Sequence, residues 1–131
     1  MRYMKYFLPL VLFFLLPGLM PAQQLVKIKK SEFKTEQVGG LEEAWKNIKM
    51  GNKLYKAGKG TYREAREHFV SAAEYNPDNP ELNYLIGVCY LFSDDKFESI
   101  KYITRAFLAD ENVASDIRFL GGQAYHLTLE F

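Results

Sequence analysis

The stretch "ELNYLIGVCYLF", Glu81 to Phe92, is apolar on nearly every side, yet it carries Gly87 at its centre. A helix that is hydrophobic all round is a buried helix. Glycine inside a helix costs about 0.5–1 kcal/mol relative to alanine. A segment that accepts this cost needs something only a missing side chain supplies, namely the close approach of another chain segment. The sequence on either side offers a partner. "KFESIKYITRAF", Lys96 to Phe107, puts Phe97, Ile100, Ile103 and Phe107 on one helical stripe, with Lys101, Thr104 and Arg105 elsewhere. Ser99 and Ala106 are small residues that can lie against Gly87.

The same arrangement occurs earlier in the chain. Gly51, Gly87 and Gly122 are separated by 36 and 35 residues. A second series is more regular: Ala65, Phe69 and Ala72 are matched 34 residues later by Ser99, Ile103 and Ala106. Two linked series at one period indicate a repeat of two helices per unit. Helix signals place the elements near residues 41–57, 61–75, 79–92, 95–109 and 114–129. Thr61-x-x-Glu64 and Asp95-x-x-Glu98 read as capping boxes. Asn79 before Pro80 reads as a cap followed by proline in the first turn. The two extra residues near "GKGTY" in the first unit read as a longer turn between its helices.

This spacing resembles the tetratricopeptide repeat, with its W-x2-L-G-x2-Y, A-x3-F and P positions. Met50-Gly51-x2-Leu54, Ala65-x3-Phe69 and Pro77 fit the first unit. Ile86-Gly87-x2-Tyr90 and Ser99-x3-Ile103 fit the second. Trp45 stands two residues early, and Glu111 replaces the proline. The fold expected is all-α: a tetratricopeptide-type helical-hairpin solenoid after a signal peptide, with two repeats and a partial third. Its units span about 44–79, 80–113 and 114–131, within a repeat domain of residues 41–131. The third unit stops at Phe131, where its second helix should begin. This predicts either that the chain is the N-terminal part of a longer protein, the preferred reading, or that a dimer covers the face.

The remaining sequence bears on location. "FLPLVLFFLLPGLM", Phe7 to Met20, follows Arg2 and Lys5 and suits a signal peptide, with cleavage expected after Ala22 in preference to an uncleaved anchor. Without Arg2 and Lys5, 15 basic side chains face 16 acidic ones. That near-balance, with no basic stripe, argues against nucleic acid as a partner. Cys89 is the one cysteine, so no internal disulfide is available and a small buried hydrophobe is the expected role. Residues 23–40, with Lys27, Lys29, Lys30 and Lys34, read as a solvated N-terminal arm with Phe33 attached to the first helix. Contact of those lysines with anionic lipid or wall polymer is the less favoured reading.

Three stretches, "EAWKNIKMGNKLYKAGKGTYREA", "NPDNPELNYLIGVCYLFSDDKFESIKYITRAF" and "FLGGQAYHLTLEF", resemble the repeat region that follows the signal peptide in bacterial OmpA-like cell-envelope proteins. In that family a β-propeller-like region and a peptidoglycan-binding domain follow the repeats, and some members serve a protein secretion apparatus. The resemblance implies an exported, periplasmic and outer-membrane-associated scaffold that reaches the membrane through other envelope proteins. Peptidoglycan binding has no residues here to carry it.

No catalytic, cofactor or metal site is expected. His68 and His126 lack zinc spacing, "SDDKFE" lacks the span and glycine of a calcium loop, and no phosphate loop or nucleophile elbow occurs. What remains is a binding surface. In stacked hairpins of this family, first helices line the concave face. Spacing i, i+4, i+7 selects Ile48, Asn52 and Tyr55, then Tyr84, Val88 and Leu91, then Phe119, Gln123 and His126. These would form a groove for a protein or peptide ligand. Inter-repeat packing is the competing role, above all for Val88 and Leu91. Downstream domains of the same chain are a further expected partner, and a spacer that packs only against its own chain is the alternative function.

Overall fold

The computed structural model describes residues 25–129, and among these it is all-helical, with no strand. The signal peptide and the cleavage site after Ala22 lie outside the described residues, as does Phe131. A short helix α1 (Lys30–Phe33) precedes α2 (Leu41–Lys56), α3 (Tyr62–Ala73), α4 (Pro80–Leu91), α5 (Lys96–Ala109) and α6 (Ile117–Leu129). A 3-10 turn at Lys59–Thr61 accounts for the extra residues between α2 and α3, entered through Gly58 at φ +119°.

Consecutive helices run antiparallel. Gly51 of α2 meets Phe69 of α3, whereas Tyr55, one turn later in α2, stacks on Tyr62 at the start of α3 with ring centroids 4.7 Å apart. Gly87 of α4 meets Ile103 of α5, and Tyr90 stacks on the earlier Tyr102 at 5.5 Å. Ile103 and Phe107 of α5 likewise face Gly121 and Arg118 of α6.

The two glycines answer the question raised by their cost. A Cβ built on Gly87 would lie 2.6 Å from Ile103 Cγ1 and 3.1 Å from the Ile103 backbone nitrogen. One built on Gly51 would lie 2.5 Å from Phe69 Cε1. Side-chain size sets the distance between packed helices, and here each glycine admits the large residue of the next helix. Ala65, Ala72, Ser99 and Ala106, the small residues on either side, are fully buried. The α5 stripe differs from the one expected. Ser99, Ile103 and Ala106 carry it, Ile100 and Phe107 flank it half-buried, and Phe97 is 58% exposed. Size complementarity to a glycine selected this face, in place of the summed hydrophobicity of the other.

Capping divides in the same way. Asn79 Oδ1 accepts from Leu82 N at 2.8 Å, with Pro80 opening α4. Neither expected capping box forms. The Thr61 hydroxyl lies 2.6 Å from Leu54 O and 3.0 Å from Gly58 O, so it satisfies carbonyls at the end of α2 instead of amides at the start of α3. Asp95 makes no side-chain cap on α5. Replacing Asn79 with alanine is expected to cost about 1 kcal/mol, and Asp95→Ala close to nothing, as urea titration of both variants would show.

The turns between units also repeat. Asp78 N donates to Asn76 Oδ1 at 3.1 Å, and 34 residues on Asn112 N donates to Asp110 Oδ1 at 2.9 Å. Each side chain closes its own turn, so the second turn does not need the proline that Glu111 replaces. This turn delays α6, which begins at Ile117 and not near residue 114.

The N-terminal segment is not a solvated arm. Val26, Ile28 and Phe33 are buried, alternating with exposed Lys27 and Lys29. Phe33 is fully enclosed, with its ring 5.4 Å from Tyr75 and 6.3 Å from Trp45. Thr35 N donates to the Tyr75 hydroxyl at 3.1 Å, and Asn76 Nδ2 donates to Phe33 O at 2.8 Å. The segment closes the α2–α3 end of the molecule. No helix among the described residues is long and apolar enough to cross a membrane.

Candidate interaction face

The nine groove positions separate into two groups. Ile48, Tyr55, Tyr84, Val88 and Leu91 are at most 3% exposed. They line no open groove. Asn52 is half-buried, and its Oδ1 is enclosed without a hydrogen-bond partner. Gln123 is half-buried, while Phe119 and His126 are exposed. The i, i+4, i+7 register therefore selected the face that buries between units. Phe119 follows Tyr84 by 35 residues, as Tyr84 follows Ile48 by 36. Ile48 and Tyr84 are core, and Phe119 is 70% exposed, with no described helix over that face of α6.

The buried group has its own chemistry. Tyr55 lies within electrostatic range of Tyr62, Tyr84 and Cys89. The Tyr84 hydroxyl donates to Asp116 Oδ1 at 2.8 Å, fastening α4 to the start of α6. Burial pushes the phenols of Tyr55 and Tyr84 well above their ordinary range, and the Asp116 carboxylate adds to the effect at Tyr84. Burial likewise pushes the Cys89 thiol up to about 12, against a small opposing pull from Arg66. Such a thiol is protonated at neutral pH and packs as a hydrophobe. Because the folded values are raised, these groups hold protons more tightly in the native chain than in the unfolded one. The phenols' contribution is complete below the ordinary tyrosine range and the thiol's below the ordinary cysteine range, and each is lost as pH rises from there toward the raised folded value. The last part of the tyrosinate absorbance, that of the buried phenols, should therefore appear together with loss of helical circular dichroism above about pH 10. Tyrosine ionisation that runs to completion with the helices intact would refute this burial.

The open surface lies on α6 and its neighbour α5. Ile103, Thr104, Phe107, Ile117, Arg118, Gly121, Gly122 and Tyr125 line a groove of about 340 Å³. Tyr125 is 52% exposed, and Arg118 stands 5.4 Å from the Phe107 ring and 3.3 Å from Glu111 Oε2. Apart from its chain neighbours and the backbone of its own helix, no described atom lies within 4 Å of a Cβ built on Gly122. The sequence held a signal for this groove in Gly122, the third glycine at the repeat interval. The concave-face register passed over it. A second shallow groove beside it brings Gln123 next to Leu91, with Ser93, Asp94, Lys96 and Leu127.

His68 Nδ1 lies 2.9 Å from Asn47 Oδ1, which ties α3 to α2. Among the described residues no group of three or more His, Cys, Asp or Glu side chains could hold a metal ion. No family model matches the chain, and neither a curated protein nor a solved structure does.

Proposed function

We propose that this chain is a tetratricopeptide-type repeat module acting as a non-catalytic protein-binding scaffold of the bacterial cell envelope. In this reading it forms the N-terminal part of a larger OmpA-like protein, exported to the periplasm and associated with the outer membrane. The observation that carries the repeat reading is the recurring contact of glycine with the large residue of the next helix, at Gly51–Phe69 and again at Gly87–Ile103. The side-chain-closed turns at Asn76 and Asp110 recur at the same interval. The envelope assignment rests on the apolar leader at Phe7 to Met20 and on the three stretches that resemble the OmpA-like repeat region.

A spacer that packs only against the rest of its own polypeptide is the second reading. The burial of five of the nine groove positions favours it over ligand binding on the concave face. Intact mass spectrometry of the protein from native envelope fractions tests the assignment. A mass well above 15.2 kDa, recovered with outer membranes, is expected. A mass equal to that of residues 23–131 would overturn the larger-protein assignment, and recovery from the cytosol would overturn export.

A further inference from the structure

Charge is nearly balanced along the chain but not over its surface. Lys46, Lys49, Lys53 and Lys56 of α2 are all exposed. At about 100° per residue they fall within about 80° of one another around the helix. At about 1.5 Å per residue they form a row about 15 Å long. None of the four makes an ion pair among the described residues. Glu42, one turn before Lys46, holds Lys30 at 2.7 Å instead. The helix dipole accounts for Lys53 and Lys56, which lie in the last turn. It does not account for Lys46 and Lys49. Met50, 41% exposed, stands beside the row. Apart from Glu42 and Glu43 in the first turn of α2, the acids of this hairpin are exposed on its other helix, at Glu64, Glu67 and Glu74 of α3. The expectation of no basic stripe therefore does not hold on α2.

We propose that this row binds the surface of a bilayer containing anionic lipid, with α2 lying along the headgroups. This goes beyond the scaffold reading, in which other proteins supply the contact with the membrane. Three features select a bilayer over other anions. The row is too long for one small anion to touch more than two of its lysines. Its charges are all lysine, compact and carried on flexible stems, which suits a diffuse charged surface, whereas arginine forks match phosphates in fixed geometry. No exposed aromatic stands in the row for a base to stack on, while Met50 offers a flexible apolar side chain to the interface. Four or more basic side chains gathered on one helix face are enough to hold a protein at such a surface, less firmly as salt rises.

The probe is vesicles of phosphatidylcholine, with or without phosphatidylglycerol, mixed with the protein as isolated from the producing cell. Flotation should show binding to the phosphatidylglycerol vesicles that falls as salt is raised. Lys49→Gln together with Lys53→Gln should weaken it about thirtyfold, at about a factor of five for each lysine. Lys101→Gln together with Arg105→Gln removes the same charge from α5 and should weaken it less than about threefold. All four positions are exposed, and circular dichroism verifies that both variants are folded. Absence of binding to the phosphatidylglycerol vesicles would overturn the proposal, as would equal binding to phosphatidylcholine alone. Equal losses in the two double variants would show a response to net charge and not to the row, and would overturn it too. Preference for heparin, a soluble anionic polymer, over the vesicles at equal total negative charge would assign the row to a polymer and overturn the bilayer as its partner.

Discussion

Gly87→Leu should destabilise the fold by about 3 kcal/mol, the upper part of the range for overpacking a tight core. The new side chain would strike Ile103. Its Cβ would fall 2.6 Å from Ile103 Cγ1, which can rotate, and 3.1 Å from the Ile103 backbone nitrogen, which cannot move without α5. Ile103 is itself 2% exposed, between Ser99 and Ala106, both fully buried. Relief would therefore separate α4 from α5 along the whole contact. The gain in helix propensity from removing a glycine, up to about 1 kcal/mol, does not offset this. The equivalent Gly122→Leu has the opposite expectation: with no described atom of another helix within 4 Å of the added Cβ, only the propensity gain remains. Urea unfolding of the two variants would show one midpoint falling sharply and the other holding or rising. Similar losses in both would mean that the glycines do not mark repeated helix contacts.

Phe33→Ala should cost about 3–5 kcal/mol, the range for removing a buried aromatic ring. Phe33 stands outside the repeat units, in a segment whose lysines suggest solvent. It is nevertheless completely buried between Trp45 and Tyr75, and its carbonyl accepts from Asn76. Truncation would leave a cavity at the α2–α3 end and loosen the Thr35–Tyr75 hydrogen bond beside it. Thermal unfolding of the variant measures this directly. A change within about 0.5 kcal/mol, typical of an exposed position, would return residues 25–40 to the status of a loose arm.

These two residues mark how far the sequence could be read. Gly87 was legible because a helical glycine in an apolar run has few explanations, and its interval to Gly51 and Gly122 supplied the partner helices. Helix positions followed within a few residues, since periodicity fixes them locally. The attachment of Phe33 to the first helix was legible, and Trp45 of that helix receives it; its complete burial, with Tyr75 on the other side, was not. Alternating Val26-Lys27-Ile28-Lys29 has a two-residue period, but nothing in a single sequence says that Tyr75 waits to receive it. Thr61 failed as a cap for a related reason. Its pattern with Glu64 is correct, yet the 3-10 turn brings the Leu54 carbonyl nearer to the hydroxyl than the amides of α3. Five of the nine groove positions are buried because one helical stripe can face a ligand or the next unit, and the two look alike in sequence. Tyr84 and Phe119 occupy the same register, one fully buried and the other 70% exposed. Only the presence or absence of a covering helix distinguishes them.

The central proposal is that this chain is a repeat scaffold whose exposed α6 face is covered in the producing cell by a further helix, of the same or of another polypeptide. Its most direct test is site-specific photo-crosslinking in the producing cell, with the crosslinker placed in turn at Phe119, Tyr125 and Lys49, an exposed position on α2. The account predicts discrete crosslinked products at positions 119 and 125, within a longer form of the same polypeptide or with another one, absent at 49. Equal background at all three positions, or an adduct confined to 49, would contradict it.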